Sequence, residues 1–154
     1  MKISTSIKKP TTKHYNIKGK DLDTLFANLE ARAFWGRFVA NEAVNWGNKD
    51  PVEKVTISAK PVIFMPKWTE YSKADKDAKT RFDKMYKALA KHENNHYYHL
   101  LEQVAIFVAR LDGMETLSAK DAKAEWKTFL ADHSKAQKKY DDVTNHGIKE
   151  GVEL

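Results

Sequence analysis

Residues 82–111 read FDKMYKALAKHENNHYYHLLEQVAIFVARL, the longest helical pattern in the chain. Its apolar and core-facing residues return every three or four positions, which is the period of an amphipathic α-helix. Asp112 and Gly113 then supply a typical C-terminal stop. We therefore predict one long helix from about residue 75 to residue 112. The stripe consists of Phe82, Met85, Tyr86, Leu89, His92, Glu93, His96, Leu100, Val104, Phe107 and Leu111.

A second long helix is predicted after this stop. Ser118, with Asp121 three residues later, resembles a helix-capping arrangement. The segment Asn145-His146-Gly147 ends the pattern. If the two helices form an antiparallel hairpin, residues 133–140 lie level with the middle of the first helix. The apolar stripe of the second helix consists of Ala122, Trp126, Phe129, His133, Ala136 and Tyr140.

The first half of the chain predicts strands and one short helix. Residues 1–12 are polar, and we expect them to be loose. A short strand is predicted over residues 13–18 and a longer one over residues 52–65, where Pro61 favours an edge position. Between them, Leu22, Leu25, Phe26 and Leu29 follow helical spacing. The predicted fold class is α+β, with a small, mostly antiparallel sheet packed on the two long helices of a single domain, residues 1–154.

Composition excludes several classes of protein. There is no cysteine, so disulfides and thiolate metal sites are excluded. The net charge is +6, but lysines alternate with acids and no base-stacking motif accompanies them, so we expect no nucleic-acid partner. No apolar run reaches the ~18 residues of a membrane span. No apolar stretch follows the first lysines, so the chain as written begins without a secretory signal.

The long helix carries His92-Glu93-Asn94-Asn95-His96 at its centre. Histidines four residues apart project from one helix face and can share a metal ion, most often zinc. In the His-Glu-x-x-His pattern, the glutamate accepts a proton from the water that the metal acidifies. The alternative is a pair of hydrogen-bonded core histidines beside a surface acid.

A catalytic zinc site normally takes a third protein ligand. His99 lies seven residues from His92, roughly 10 Å along the helix axis, which is too far for one ion to be shared by both. His133 would lie level with the motif in a helical hairpin, and His146 lies where the chain can bend back at a helix end. Spacing leaves these two open, and their alternatives are a core imidazole and a helix cap.

Four segments, in order, resemble a bacterial family known as domain of unknown function 922, described as secreted zinc-dependent proteases. They are Tyr15-Asn16-Ile17-Lys18-Gly19 leading into Leu22 and Leu25, Met65-Pro66-Lys67-Trp68, the histidine motif, and Tyr140-Asp141-Asp142-Val143-Thr144-Asn145-His146-Gly147. The resemblance implies a zincin-like zinc metalloendopeptidase, secreted or periplasmic, with a peptide or protein substrate. The alternative is a non-catalytic zinc-binding envelope protein.

The resemblance also implies a set of site residues. His146 would be the third ligand with His92 and His96, and Glu93 the general base. Tyr140 would donate to the oxyanion or be an aromatic core residue. Asp141 or Asp142 would orient a ligand imidazole. In related peptidases a sheet edge holds the substrate, and residues 62–65 would be that strand or an ordinary core strand.

Overall fold

The computed structural model describes residues 1–154 and contains six strands and three helices. The elements are β1 (Lys2–Ile7), β2 (Thr11–Ile17), α1 (Leu22–Glu30), β3 (Arg37–Val39), β4 (Glu42–Asn45), β5 (Lys54–Ala59), β6 (Val62–Trp68), α2 (Lys76–Asp112) and α3 (Ala119–Thr144). Three strands form one sheet in the order β1-β5-β4, and three form a second in the order β2-β6-β3.

Three segments of the chain each contribute one strand to the first sheet and one strand to the second. Only a few residues separate β1 from β2, β3 from β4, and β5 from β6. The breaks are bridged by backbone bonds, such as Lys8 N–H to the Ala59 carbonyl at 3.0 Å. Pro61 has no N–H to donate and lies at the break between β5 and β6. The strand predicted over residues 52–65 is therefore two strands.

The sheets differ from the predicted mostly antiparallel sheet. In each of them one pair is parallel, β1 with β5 and β2 with β6, and the other is antiparallel. β1 lies in the segment predicted to be loose. Its side chains are mostly polar, and Lys2 pairs with Lys54, far away along the chain. Local sequence patterns do not show such distant pairing, because it depends on backbone hydrogen bonds rather than on neighbouring side chains.

The helices form where the sequence predicts them, and the α+β class is confirmed. The Asp75 side chain caps α2 by accepting from Ala78 N–H at 2.8 Å, and Ser118 caps α3 by accepting from Asp121 N–H at 3.0 Å. Asn145 ends α3 in the left-handed conformation, with φ of 50°. None of the helices has an apolar stretch that could cross a membrane.

Helix α2 packs into two separate hydrophobic cores. Its first half, including Met85 and Leu89, packs with residues of α1, β2 and β6. Its second half, including Phe107, packs with β5 and with Phe129 of α3. The buried polar residues of α2 lie between the two cores. Both halves of the helix are therefore held rigidly on either side of His92, Glu93 and His96.

Candidate metal centre

The side chains of His92 and His96 converge on one carboxylate oxygen. The two rings lie on successive turns of α2 and are 2% and 5% exposed. Their Nε2 atoms lie 3.1 Å and 2.9 Å from Oδ1 of Asp141, which α3 brings alongside. One ligand atom from each residue lies within 4.8 Å of the others, so this group could hold a metal ion.

The outer ring nitrogens fix how these histidines are protonated. His92 Nδ1 lies 2.8 Å from Glu150 Oε1, and His96 Nδ1 is hydrogen-bonded to Gln137 Oε1. Both oxygens accept, so each Nδ1 carries a proton. A ring that is neutral then directs its Nε2 lone pair at Asp141, whereas a protonated ring donates from Nε2 to it. Three acceptor atoms that face one point require a cation or a proton between them. Histidine ligands in metal sites are held in this way.

The pKa shifts of His92 and Asp141 agree with a need for positive charge at this point. Burial lowers the pKa of His92, but its hydrogen bonds with Asp141 and Glu150 outweigh burial, and the pKa of His92 is raised. Burial also raises the pKa of Asp141, yet hydrogen bonds from His92 and His96 hold it well below its usual value. The site therefore favours positive charge between the rings and the carboxylate.

Glu93 lies beside this group and is 4% exposed. Burial raises the pKa of Glu93 to about 7, although the neighbouring histidines oppose the shift. Gly36, immediately before β3, makes room for the carboxylate, because a Cβ atom there would lie 2.7 Å from Glu93 Oε1. The loop before β3 therefore packs directly on the acid of the motif.

A cleft of about 680 Å³ opens over the group. It is lined by α2, with Leu89 and the histidine motif, and by Gly36, Arg37 and Phe38 around the start of β3. β3 is an edge strand of its sheet, whereas β6 lies between β2 and β3. Of the two alternatives for residues 62–65, the free substrate-binding edge is wrong, because Val62, Ile63 and Phe64 are paired with both β2 and β3.

Comparison with known proteins places the chain in a family. A family model described as a bacterial protein of unknown function, DUF922, matches residues 12–147. The chain belongs to this family. No curated protein and no solved structure matches it. The matched region of this DUF922 member contains His92, Glu93, His96 and Asp141, so the whole group lies inside the family domain.

His146, the ligand that the family resemblance implied, lies outside this group. It is exposed, lines the cleft, and adopts a φ of 52° in the turn after α3. Its backbone N–H donates to the Asp141 carbonyl at 2.8 Å. Gly147, with φ of 86°, packs against His92, since a Cβ there would lie 3.0 Å from His92 Cγ. In this DUF922 chain the turn thus supports the centre while Asp141 contacts both rings.

The other predicted candidates surround the centre. Tyr140 stacks on His92 with ring centroids 4.8 Å apart, and its hydroxyl donates to Glu150 at 2.8 Å. The Tyr140 hydroxyl also accepts from Asn95 Nδ2 at 2.8 Å, so its polar atom is occupied away from the cleft. His99 lies beside the Tyr140 ring, with centroids 4.8 Å apart. Asp142 is exposed and pairs with Lys138 on the helix surface rather than with a histidine.

Sequence reasoning missed three residues of the centre. Asp141 was considered only as a residue that orients an imidazole through its outer nitrogen, and Glu150 and Gln137 have that role instead. The register of the helical hairpin could have indicated two of them, Gln137 and Asp141. Gln137 and Asp141 are one helical turn apart, level with His96 and His92, and therefore face the motif across the hairpin.

Proposed function

We propose that this protein is a zinc-dependent metallopeptidase whose metal is held by His92, His96 and Asp141. The observation that carries the proposal is the convergence of two Nε2 atoms on Asp141 Oδ1, with both outer nitrogens already hydrogen-bonded. Two imidazoles and a carboxylate are a ligand set that zinc commonly takes, with one position left for water. Glu93, buried beside them, is the proposed general base.

The reaction is hydrolysis of a peptide bond. Bound zinc would polarise the scissile carbonyl and lower the pKa of a water molecule to ~7. Glu93 takes a proton from that water while the oxygen of the water bonds to the carbonyl carbon. It then gives a proton to the amide nitrogen as the carbon–nitrogen bond breaks. The burial of Glu93 next to the histidine pair supports this role, because its carboxylate lies in the wall of the cleft.

The edge strand β3 is the proposed binding site for the substrate. An extended peptide could pair with its free edge as an additional strand. Apolar side chains around the cleft would contact every second side chain of that peptide. They include Phe26, Trp35, Leu89, Ile148 and Val152. The family resemblance supports a secreted or periplasmic location, where peptide or protein substrates would be met.

Glu93→Gln tests the catalytic part of this proposal. The amide keeps the shape of the side chain and cannot take the proton, so zinc content should be unchanged. Cleavage of an unfolded protein such as casein should fall by at least ~10²-fold. The matched control is Glu102→Gln, the same change at an exposed position of α2, which should leave cleavage unchanged. Zinc binding by the wild type without cleavage would instead favour a non-catalytic zinc protein.

Asp141→Asn and His146→Ala together test the ligand set. Asparagine preserves the volume of Asp141 but removes its charge, so zinc affinity should fall by more than the ~10-fold expected for loss of an outer hydrogen bond. His146→Ala should bind zinc like the wild type. Zinc affinity of the metal-free proteins, measured by competition with a chelating dye, checks both. The reverse result would assign the third ligand to His146.

A further inference from the structure

A chain of hydrogen bonds runs from β4 through α3 to a ligand histidine on α2. Glu42 Oε1 lies 2.9 Å from His133 Nδ1, and His133 Nε2 lies 2.6 Å from Gln137 Nε2. Gln137 Oε1 is hydrogen-bonded to His96 Nδ1. We call Glu42, His133 and Gln137 the Gln137 relay. Neither the histidine motif nor the proposed reaction accounts for it.

Every donor in the relay can be assigned from its partner. Gln137 Nε2 lies 3.0 Å from the His96 carbonyl, which only accepts, so the amide nitrogen is on that side. The amide oxygen therefore faces His96 Nδ1, which must donate. The second amide hydrogen faces His133 Nε2, which must accept. His133 consequently carries its proton on Nδ1 and donates it to Glu42.

The surroundings restrict other arrangements of these groups. His133 is buried, and the Phe129 ring stacks on it with centroids 6.0 Å apart. Phe38 stacks on His96 at the same separation. The hydrogen bond from His133 outweighs burial and lowers the pKa of Glu42, so the far end of the relay remains an acceptor. Buried networks with every group satisfied hold a single orientation of their members.

We infer that the Gln137 relay holds His96 in the tautomer with its proton on Nδ1, which keeps Nε2 free to bind a metal ion. Glu42, His133 and Gln137 are thus positioning residues, and the inference rests on the metal site proposed above. Without the acceptor on His133, only the His96 carbonyl still holds the Gln137 amide nitrogen in place, so the orientation of the amide is less firmly fixed. A reversed amide would present its nitrogen to His96 Nδ1 and select the tautomer with the proton on Nε2, which blocks that ligand atom.

The experiment measures the tautomer directly in the full, metal-free chain. Nitrogen NMR of 15N-histidine-labelled protein, recorded where the rings are neutral, should show His96 and His133 protonated on Nδ1. In His133→Phe, which keeps a ring for Phe129 to stack on, His96 should shift toward protonation on Nε2. The zinc affinity of this variant should fall ~10–100-fold. Gln137→Leu should behave in the same way.

Two variants separate positioning from general packing. Glu42→Gln retains an oxygen that accepts from His133, so the His96 tautomer and the zinc affinity should remain those of the wild type. Glu125→Gln disrupts the ion pair with Arg110, 2.7 Å long, between the same two helices but away from the relay, and should change neither quantity. If His133→Phe does not fold, Glu42→Leu removes the acceptor from the less buried end and is expected to give the same shift.

Two results would overturn the inference. One is wild-type His96 protonated on Nε2 in the metal-free protein. The other is a folded His133→Phe chain, with an unchanged melting temperature, that keeps both the wild-type tautomer and the wild-type zinc affinity. A wild type that binds no zinc would refute the proposed metallopeptidase, whereas the tautomer measurement in metal-free protein reports on the relay alone.

Discussion

At the level of single residues, Gly36 packs against the carboxylate of Glu93, the proposed general base. Its φ is not in the left-handed region, so conformational freedom does not explain the glycine. A Cβ there would lie 2.7 Å from Glu93 Oε1 and 2.9 Å from Leu89 Cδ1, which is too close for either atom to stay in place.

Gly36→Ala is therefore expected to displace Glu93 while the proposed metal ligands stay where they are. Zinc content should be that of the wild type, and kcat/KM for peptide cleavage should fall by ~10²-fold, the cost of a misplacement of about 1 Å. Gly113→Ala is the control, because the nearest atom to its added Cβ lies 3.6 Å away. Unchanged cleavage in Gly36→Ala would mean that the position of Glu93 is unimportant.

The sequence could predict only some of the residues at the candidate site. The His-Glu-x-x-His pattern predicts His92, Glu93 and His96 together, because residues three or four positions apart lie on one face of a helix. The contact of Asp141 with both rings depends on how α3 packs on α2. Because acidic residues are common on exposed helix faces, an aspartate at this position did not by itself indicate a metal ligand. Glu150 lies beyond α3 in a short 3₁₀ helix, Ile148–Glu150, and only the turn at Asn145 and Gly147 directs it back to His92.

At the scale of elements, the packing of α3 on α2 sets the geometry of the centre. Phe129 is 1% exposed, and its ring stacks on Phe107 and on Trp126, with centroids 4.9 Å apart in each pair. One helical turn further on, α3 carries His133 and then Gln137. The aromatic cluster therefore fixes the register of the hairpin on which the candidate metal centre depends.

Phe129→Ala should lower the free energy of unfolding by ~3–5 kcal/mol, the usual cost of removing a buried phenylalanine. Leu130→Ala, at the neighbouring position that is 37% exposed, should change it by only ~0.5 kcal/mol. Urea denaturation of the metal-free proteins measures both. Similar losses in the two variants would show that the aromatic cluster does not hold the hairpin.

Helices and sheets differed in how well the sequence predicted them. Caps and stripes are local signals, and Asp75, Ser118 and Asn145 give the helix ends at the positions expected. The pairing of β1 with β5 joins residues more than fifty positions apart, and β1 has no alternation of apolar and polar residues. The sequence pattern therefore identified β2 and the segment that contains β5 and β6, and gave no information about which strands are neighbours.

At the scale of the whole molecule, the proposed metal joins two helices that local sequence patterns specify separately. An ion bound by His92 and His96 on one side and Asp141 on the other would link α2 to α3. Because the unfolded chain does not hold these groups together, the ion should bind the folded state preferentially. The fold and the metal centre would then stabilise each other.

Zinc should accordingly raise the thermal stability of the metal-free protein. At a free concentration 100-fold above Kd, the expected gain is ~2.7 kcal/mol in the free energy of unfolding. Differential scanning calorimetry with and without zinc measures it. Asp141→Asn provides the control, since most of the gain should be absent there at the same zinc concentration. A wild type with the same melting temperature in both conditions contradicts the linkage.

The most direct test is the position of zinc in crystals of the loaded protein, located by anomalous diffraction at the zinc edge. The predicted result is one ion per chain within ~2.0–2.2 Å of His92 Nε2, His96 Nε2 and an Asp141 carboxylate oxygen. An ion bound elsewhere, or no density between the two rings at saturating zinc, would contradict the account.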